Sequence, residues 1–118
     1  MDSTSGIAAL AALAQTTRLE AFRLLVNREP DGIAAGDLAR ALSIPQNTLS
    51  AHLAVLARCG LVSGERRSRS IVYRADLARV RALVTFLLRD CCEGRPELCA
   101  PLIEDLVPYR PSKESACG

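Results

Sequence analysis

Leucines at positions 49, 53 and 56 recur at i, i+4 and i+7, the spacing of one helix face, while Gln46, Asn47 and Ser50 between them are polar and short. The same period appears elsewhere. Ile7, Leu10 and Leu13, with alanines between, predict a first amphipathic helix over residues 7–15. Thr17 and Glu20 form a T-x-x-E capping-box pattern ahead of Leu19, Phe22, Leu25 and Val26, which predicts a second helix. The run Glu29-Pro30-Asp31-Gly32 is a turn signal that ends it. A short third helix is expected over residues 35–42. Ser43-Ile44-Pro45 interrupts the pattern, with Pro45 suited to the first turn of the helix carrying Leu49, and Gly60 stops that helix.

Beyond Gly60 the period changes. Leu61-Val62 and Ile71-Val72-Tyr73 are short β-type runs, and S-G-E-R-R-S-R-S between them reads as a hairpin loop with a charged tip. Leu77, Val80, Val84, Leu87 and Cys91 then keep helical spacing, predicting a long helix from Asp76 to Cys92 that Gly94 and Pro96 end. Residues 97–107 suit one more short helix. The third and fourth helices with their tight turn have helix-turn-helix order, and the hairpin stands where a wing would. The fold class is therefore mainly α with a small β-hairpin, a winged helix-turn-helix. Residues 1–107 are expected to form one DNA-binding and dimerisation domain with a C-terminal thiol site, and 108–118 a flexible tail.

Composition narrows the function. The 118 residues suffice for one cored domain, and with 3% aromatics and no Trp the core must be aliphatic, which favours packed helices. There is no apolar run of about 18 residues, and the first 15 lack the basic region of a signal peptide. A cytoplasmic location is the expectation. The net charge of +2 hides an asymmetry. Seven arginines between Arg58 and Arg81 face only Glu65 and Asp76, whereas acids outnumber bases from Asp90 onward. A basic middle suits a polyanion.

Gln46, Asn47, Thr48 and Ser50, near the start of the fourth helix, have the reach and the amide or hydroxyl groups to read base edges in a major groove. Arg66, Arg67 and Arg69 at the wing tip suit phosphates or a minor groove. Helix capping by Gln46 and Asn47 is the plainer alternative. His52, the only histidine, sits on a leucine-rich helix and is expected to be a structural hydrogen-bonder. Without a second imidazole or a nucleophile–base pair, an enzyme has little support.

Three blocks carry a resemblance: L-A-Q-T-T-R-L-E-A-F-R-L-L, then P-Q-N-T-L-S-A-H-L-A-V-L-A-R-C-G-L-V, then R-R-S-R-S-I-V-Y-R. Together they resemble the ArsR/SmtB family of metal-responsive repressors over about residues 7–90. The resemblance implies a homodimer paired through the first and fifth helices, bound to palindromic operator double-stranded DNA and released by an inducer.

Two inducer sites of that family are missing. The last long helix, D-L-A-R-V-R-A-L-V-T-F-L-L-R-D, has no histidine for zinc, and the third helix, G-D-L-A-R-A-L, has no cysteine pair. What remains is Cys91, Cys92 and Cys99, three thiols without an imidazole. Trivalent arsenic or antimony takes three sulfurs in a pyramid, so arsenite or antimonite is the expected inducer, with no catalytic cofactor. Some arsenic-responsive relatives carry such a vicinal pair plus a third cysteine. Other readings stay open: Cys117 as third ligand, Cys91 as core, a disulfide closing Cys91 or Cys92 onto Cys99, or a cytosolic metalloid-binding carrier. Cys59 is expected to pack under the wing.

Overall fold

The computed structural model describes residues 1–90 and 100–101, with the side chains of 89 and 90 excepted. Five helices and three strands follow in the order α1 (Ser3–Leu13), α2 (Thr16–Asn27), β1 (Ile33–Ala34), α3 (Ala35–Leu42), α4 (Gln46–Arg58), β2 (Val62–Arg67), β3 (Ser70–Ala75) and α5 (Leu77–Thr85). A π-helical turn over Phe86–Asp90 continues α5. The chain divides into two units, Met1–Leu83 and Val84–Gly118, and everything that positions the candidate site belongs to the first.

The core is aliphatic, as the composition requires. Leu25, Leu38, Leu49, Leu53, Leu56 and Leu61 are fully buried, drawn from α2, α3, α4 and the start of the wing. Each buried leucine contributes about 1.5–3 kcal/mol. The expected stripe of α4 is realised without exception.

α1 packs differently from the expectation. It begins at Ser3, where Asp2 Oδ1 accepts from Ser5 N at 2.8 Å. That bond holds the Asp2 carboxyl below its ordinary value. Gly6, Ala9 and Ala12 face inward, whereas Ile7 is 63% and Leu10 39% exposed. Small residues let the α1 backbone come close to α2 and α4, and the large apolar ones are left on the outer side. The second helix has another cap than the sequence pattern indicates. Gln15 Oε1 accepts from Arg18 N at 2.8 Å, so Thr17 is already helical and there is no Thr17–Glu20 capping box.

Between α3 and α4 the chain turns in three residues. Ile44 N donates to Ala39 O at 3.1 Å and Ser43 N to Arg40 O at 3.2 Å, with Ser43 left-handed at φ 57°. This is a Schellman closure, and Pro45, extended at ψ 146°, starts α4 without needing a donor of its own. At the far end Gly60, with φ 77°, releases the chain into β2.

The sheet is antiparallel with order β1-β3-β2. The sequence pattern misses β1, which is only two residues long and pairs Ile33 with Tyr73 and Ala34 with Val72. The hairpin is longer than the apolar runs suggest. Its register runs from Val62–Ala75 to Arg67–Ser70, so most of the expected loop is strand and only Ser68 and Arg69 turn. Backbone ladder bonds extend a ribbon past its apolar residues, and that extension leaves no trace in the hydrophobic pattern. In α5, Asp76 Oδ1 caps Arg79 N at 3.1 Å. Leu77, expected in a buried stripe, is 46% exposed, and Leu83 is the buried residue of this helix.

Candidate nucleic-acid interface

α4 presents two faces. Leu49, Leu53 and Leu56 hold it against the core, and Gln46, Asn47, Thr48 and Ser50 are all exposed at its N-terminal end. No side chain caps the helix start at Pro45. Asn47 Oδ1 accepts only from the neighbouring Thr48 N, at 3.0 Å, and Gln46 Oε1 lies near Gly36 of α3. The plain capping role therefore does not occupy Gln46. Four short polar groups stand in water on the outer side of a rigidly seated helix, with donors and acceptors suited to base edges.

Asp37 and Arg40 pair with each other on the exposed side of α3. At the wing, Arg66, Arg67 and Arg69 are all exposed, but they do not form one patch. Successive strand residues point to opposite faces, so Arg66 and Arg67 leave the ribbon on opposite sides, and Arg69 lies in the turn. Arg67 Nη2 donates to Glu65 Oε1 at 3.1 Å, with both groups more than half exposed. Such a pair is worth little in water and yields to a phosphate at small cost.

The base of the wing is tied more firmly. Arg74 Nη2 and Nε reach Glu29 Oε1 and Oε2 at 2.7 and 3.4 Å, joining β3 to the end of α2. The hydrogen bond from Arg74 holds the Glu29 carboxyl below the ordinary glutamate range, and the carboxylate raises Arg74 in turn. This bidentate link has no local sequence signal, because its partners are 45 positions apart.

His52 is half-buried, and Arg18 Nη1 donates to its Nδ1 at 3.4 Å, which is the structural role expected of it. A guanidinium only donates, so Nδ1 is the acceptor in this contact. The expectation for Cys59 needs correcting. Its Sγ donates to Ala8 O at 3.5 Å, so it lies against α1 and not under the wing, because the last turn of α4 ends beside that helix. Cys91, Cys92, Cys99 and Cys117 fall outside the described residues. Among the described residues no three His, Cys, Asp or Glu side chains are grouped to hold a metal ion. Nor is any helix among them long and apolar enough to cross a membrane.

Comparison with known proteins places this geometry. A family model described as a helix-turn-helix domain matches residues 13–65. The chain is 30% identical over 93 residues to the transcriptional activator HlyU of Vibrio cholerae, covering 79% of this chain and 83% of HlyU. A solved structure of reduced HlyU superposes with a TM-score of 0.61 at 31% identity, covering 76% of this chain and 92% of that one. An ArsR-like transcriptional regulator from Rhodococcus gives a TM-score of 0.67 at 30% identity, over 82% of this chain and 89% of its own. The homodimeric winged helix-turn-helix DNA-binding domain of a possible ArsR-family regulator from Mycobacterium bovis gives 0.59 at 29% identity, over 78% and 85%.

Proposed function

The chain belongs to the ArsR family of winged helix-turn-helix transcriptional regulators, and from that premise we propose that it is a homodimeric repressor of an arsenic-resistance operon, released from its operator by trivalent arsenic or antimony. The observation that carries the DNA-reading half is the split face of α4, with three leucines fully buried and Gln46, Asn47, Thr48 and Ser50 exposed. Those four residues read bases, and Arg66, Arg67 and Arg69 hold phosphates on either side of the wing. Pairing through α1 and α5 is supported by Ile7, Leu10 and Leu77, large apolar residues that the protomer itself leaves exposed. The relative from Mycobacterium bovis is homodimeric, which supports a dimer but does not bear on which helices pair.

The inducer half rests on donor chemistry in the sequence. Cys91, Cys92 and Cys99 supply three soft sulfurs and no imidazole, the set a pyramidal arsenic takes. Arsenous acid reacts with three protonated thiols: each As–O bond gives way to an As–S bond, and each thiol proton leaves with the hydroxyl as water, so three waters and no net protons are released. A divalent metal would displace thiol protons and bind with strong pH dependence. The test is a gel shift with operator DNA, with and without arsenite, on the wild type and on Cys91→Ser/Cys92→Ser. The expected result is that both proteins bind DNA and only the wild type lets go. Full release of the double variant by arsenite would sink the site assignment.

A second reading has one observation in its favour: the HlyU structure above is of the reduced protein. Here the same cysteines would close Cys91 or Cys92 onto Cys99 under peroxide. Release by peroxide and none by arsenite would select it.

A further inference from the structure

Arg18 belongs to the first turn of α2, yet its guanidinium serves two other helices. Its Nε donates to Ala12 O of α1 at 2.6 Å, and its Nη1 to His52 Nδ1 of α4 at 3.4 Å. Ala12 O lies in the last turn of α1, where carbonyls lack an intrahelical N–H and the helix dipole favours a cation. His52 follows Leu49 by three residues and precedes Leu56 by four, so it shares the inner side of α4. Ser50, two residues before it, lies on the opposite side with Asn47, whereas Thr48, four residues before it, shares its side. One cation therefore joins three helices behind the surface that faces outward.

We propose that Arg18 and His52 are positioning residues for DNA reading, fixing the rotation of α4 about its own axis relative to the end of α1. This rests on the reading of α4 as the recognition helix. The leucines anchor α4, but apolar burial is non-directional and leaves rotation loosely set. Hydrogen bonds are directional. A rotation of about 20° moves a side-chain tip by about 2 Å on a helix of this radius. A hydrogen bond to a base tolerates only a few tenths of an ångström. Because Arg18 also holds the end of α1, a shift of α1 reaches α4 through the same guanidinium.

The experiment starts from a duplex that the wild-type protein selects out of a random pool. Arg18→Ala, His52→Ala, their double variant and His52→Asn are then compared on that duplex and on random DNA, with the melting temperature and dimer state of each recorded. Each alanine variant is expected to lower the ratio of selected to random affinity about tenfold, and the double variant no further, since the two act as one unit. Affinity for random DNA stays unchanged. His52→Asn, whose Oδ1 stands close to the former Nδ1, restores most of the ratio. Additive losses, or lower melting temperatures with an unchanged ratio, overturn the proposal and leave a merely structural contact. Should the wild type select no sequence at all, the recognition-helix reading fails first. The contact is then read in the free protein by the 15N shift of His52 Nδ1, which is expected to move in Arg18→Ala; an unmoved shift overturns the link itself.

Discussion

α4 and the β2–β3 wing both turn polar side chains to solvent, but different forces hold them. α4 rests on three leucines at 0% exposure, whereas in β2 only Val62 is buried and the five residues from Ser63 to Arg67 stand in water. The wing keeps its shape through ladder bonds to β3 and through the Arg74–Glu29 link at its base. The difference assigns work. A helix anchored in the core suits base edges, whose contacts need a held position, and a ribbon without a core beneath its tip suits phosphates, which accept from many directions.

The largest effect that sharpens this contrast is on stability. Leu53→Ala should cost about 2–5 kcal/mol by denaturant unfolding, because the leucine is fully buried and its removal leaves a cavity. Arg66→Ala, on the exposed ribbon, should stay within about 0.5 kcal/mol of wild type. Equal losses at the two positions would mean that the wing is part of the core after all.

That contrast also explains what could be read from the sequence. Leu49, Leu53 and Leu56 announce α4 because burial at helical spacing writes itself into the chain. Ser43-Ile44-Pro45 announces the turn because backbone geometry there restricts residue choice. The family-bearing blocks around them were legible for the same reason. Contacts between distant polar groups were not. Arg18 with His52 and Glu29 with Arg74 pair across 34 and 45 positions, and neither partner carries a mark of the other. Exposure of Ile7, Leu10 and Leu77 was hidden too, since hydrophobic spacing does not say whether the covering surface belongs to the same chain. The neighbours of His52 and Cys59, Arg18 and Ala8, lie 34 and 51 positions away and are equally unmarked in the sequence.

Next in size is sequence discrimination. Asn47→Ala should lower the preference for operator over random DNA by about 1–3 kcal/mol, measured as an affinity ratio at fixed salt. Stability should hardly change, because the one bond Asn47 makes, to Thr48 N, is exposed to competing water. Discrimination kept in full would move base reading off the start of α4.

Smaller again is the wing's contribution to affinity. Arg67→Ala should weaken all DNA alike and reduce the slope of log affinity against log salt by about 0.9, the value of one phosphate contact. Arg67 must first leave Glu65, so Glu65→Gln should strengthen binding slightly. If Arg67→Ala left the slope unchanged while Arg66→Ala reduced it, only one face of the ribbon would meet DNA, which the opposed directions of the two side chains allow.

The smallest effect concerns the base of the wing and has a definite sign with pH. Arg74 holds the Glu29 carboxyl below the ordinary glutamate range, so the folded state favours the ionised form more than the unfolded chain does. The stabilisation is therefore complete above the unfolded value, about pH 4.3, and is lost as pH falls from there through the lowered folded value. Glu29→Gln should lower the melting temperature slightly at pH 7, and the gap to wild type should close on acidification below pH 4. Arg74 remains about two-fifths exposed, so water screens the pair and keeps the gap small. DNA binding at pH 7 should respond through the wing alone: weaker affinity and an altered salt slope, with discrimination by α4 intact. A loss of discrimination in Glu29→Gln would show that wing and helix are set by one device, and the contrast between them would fail.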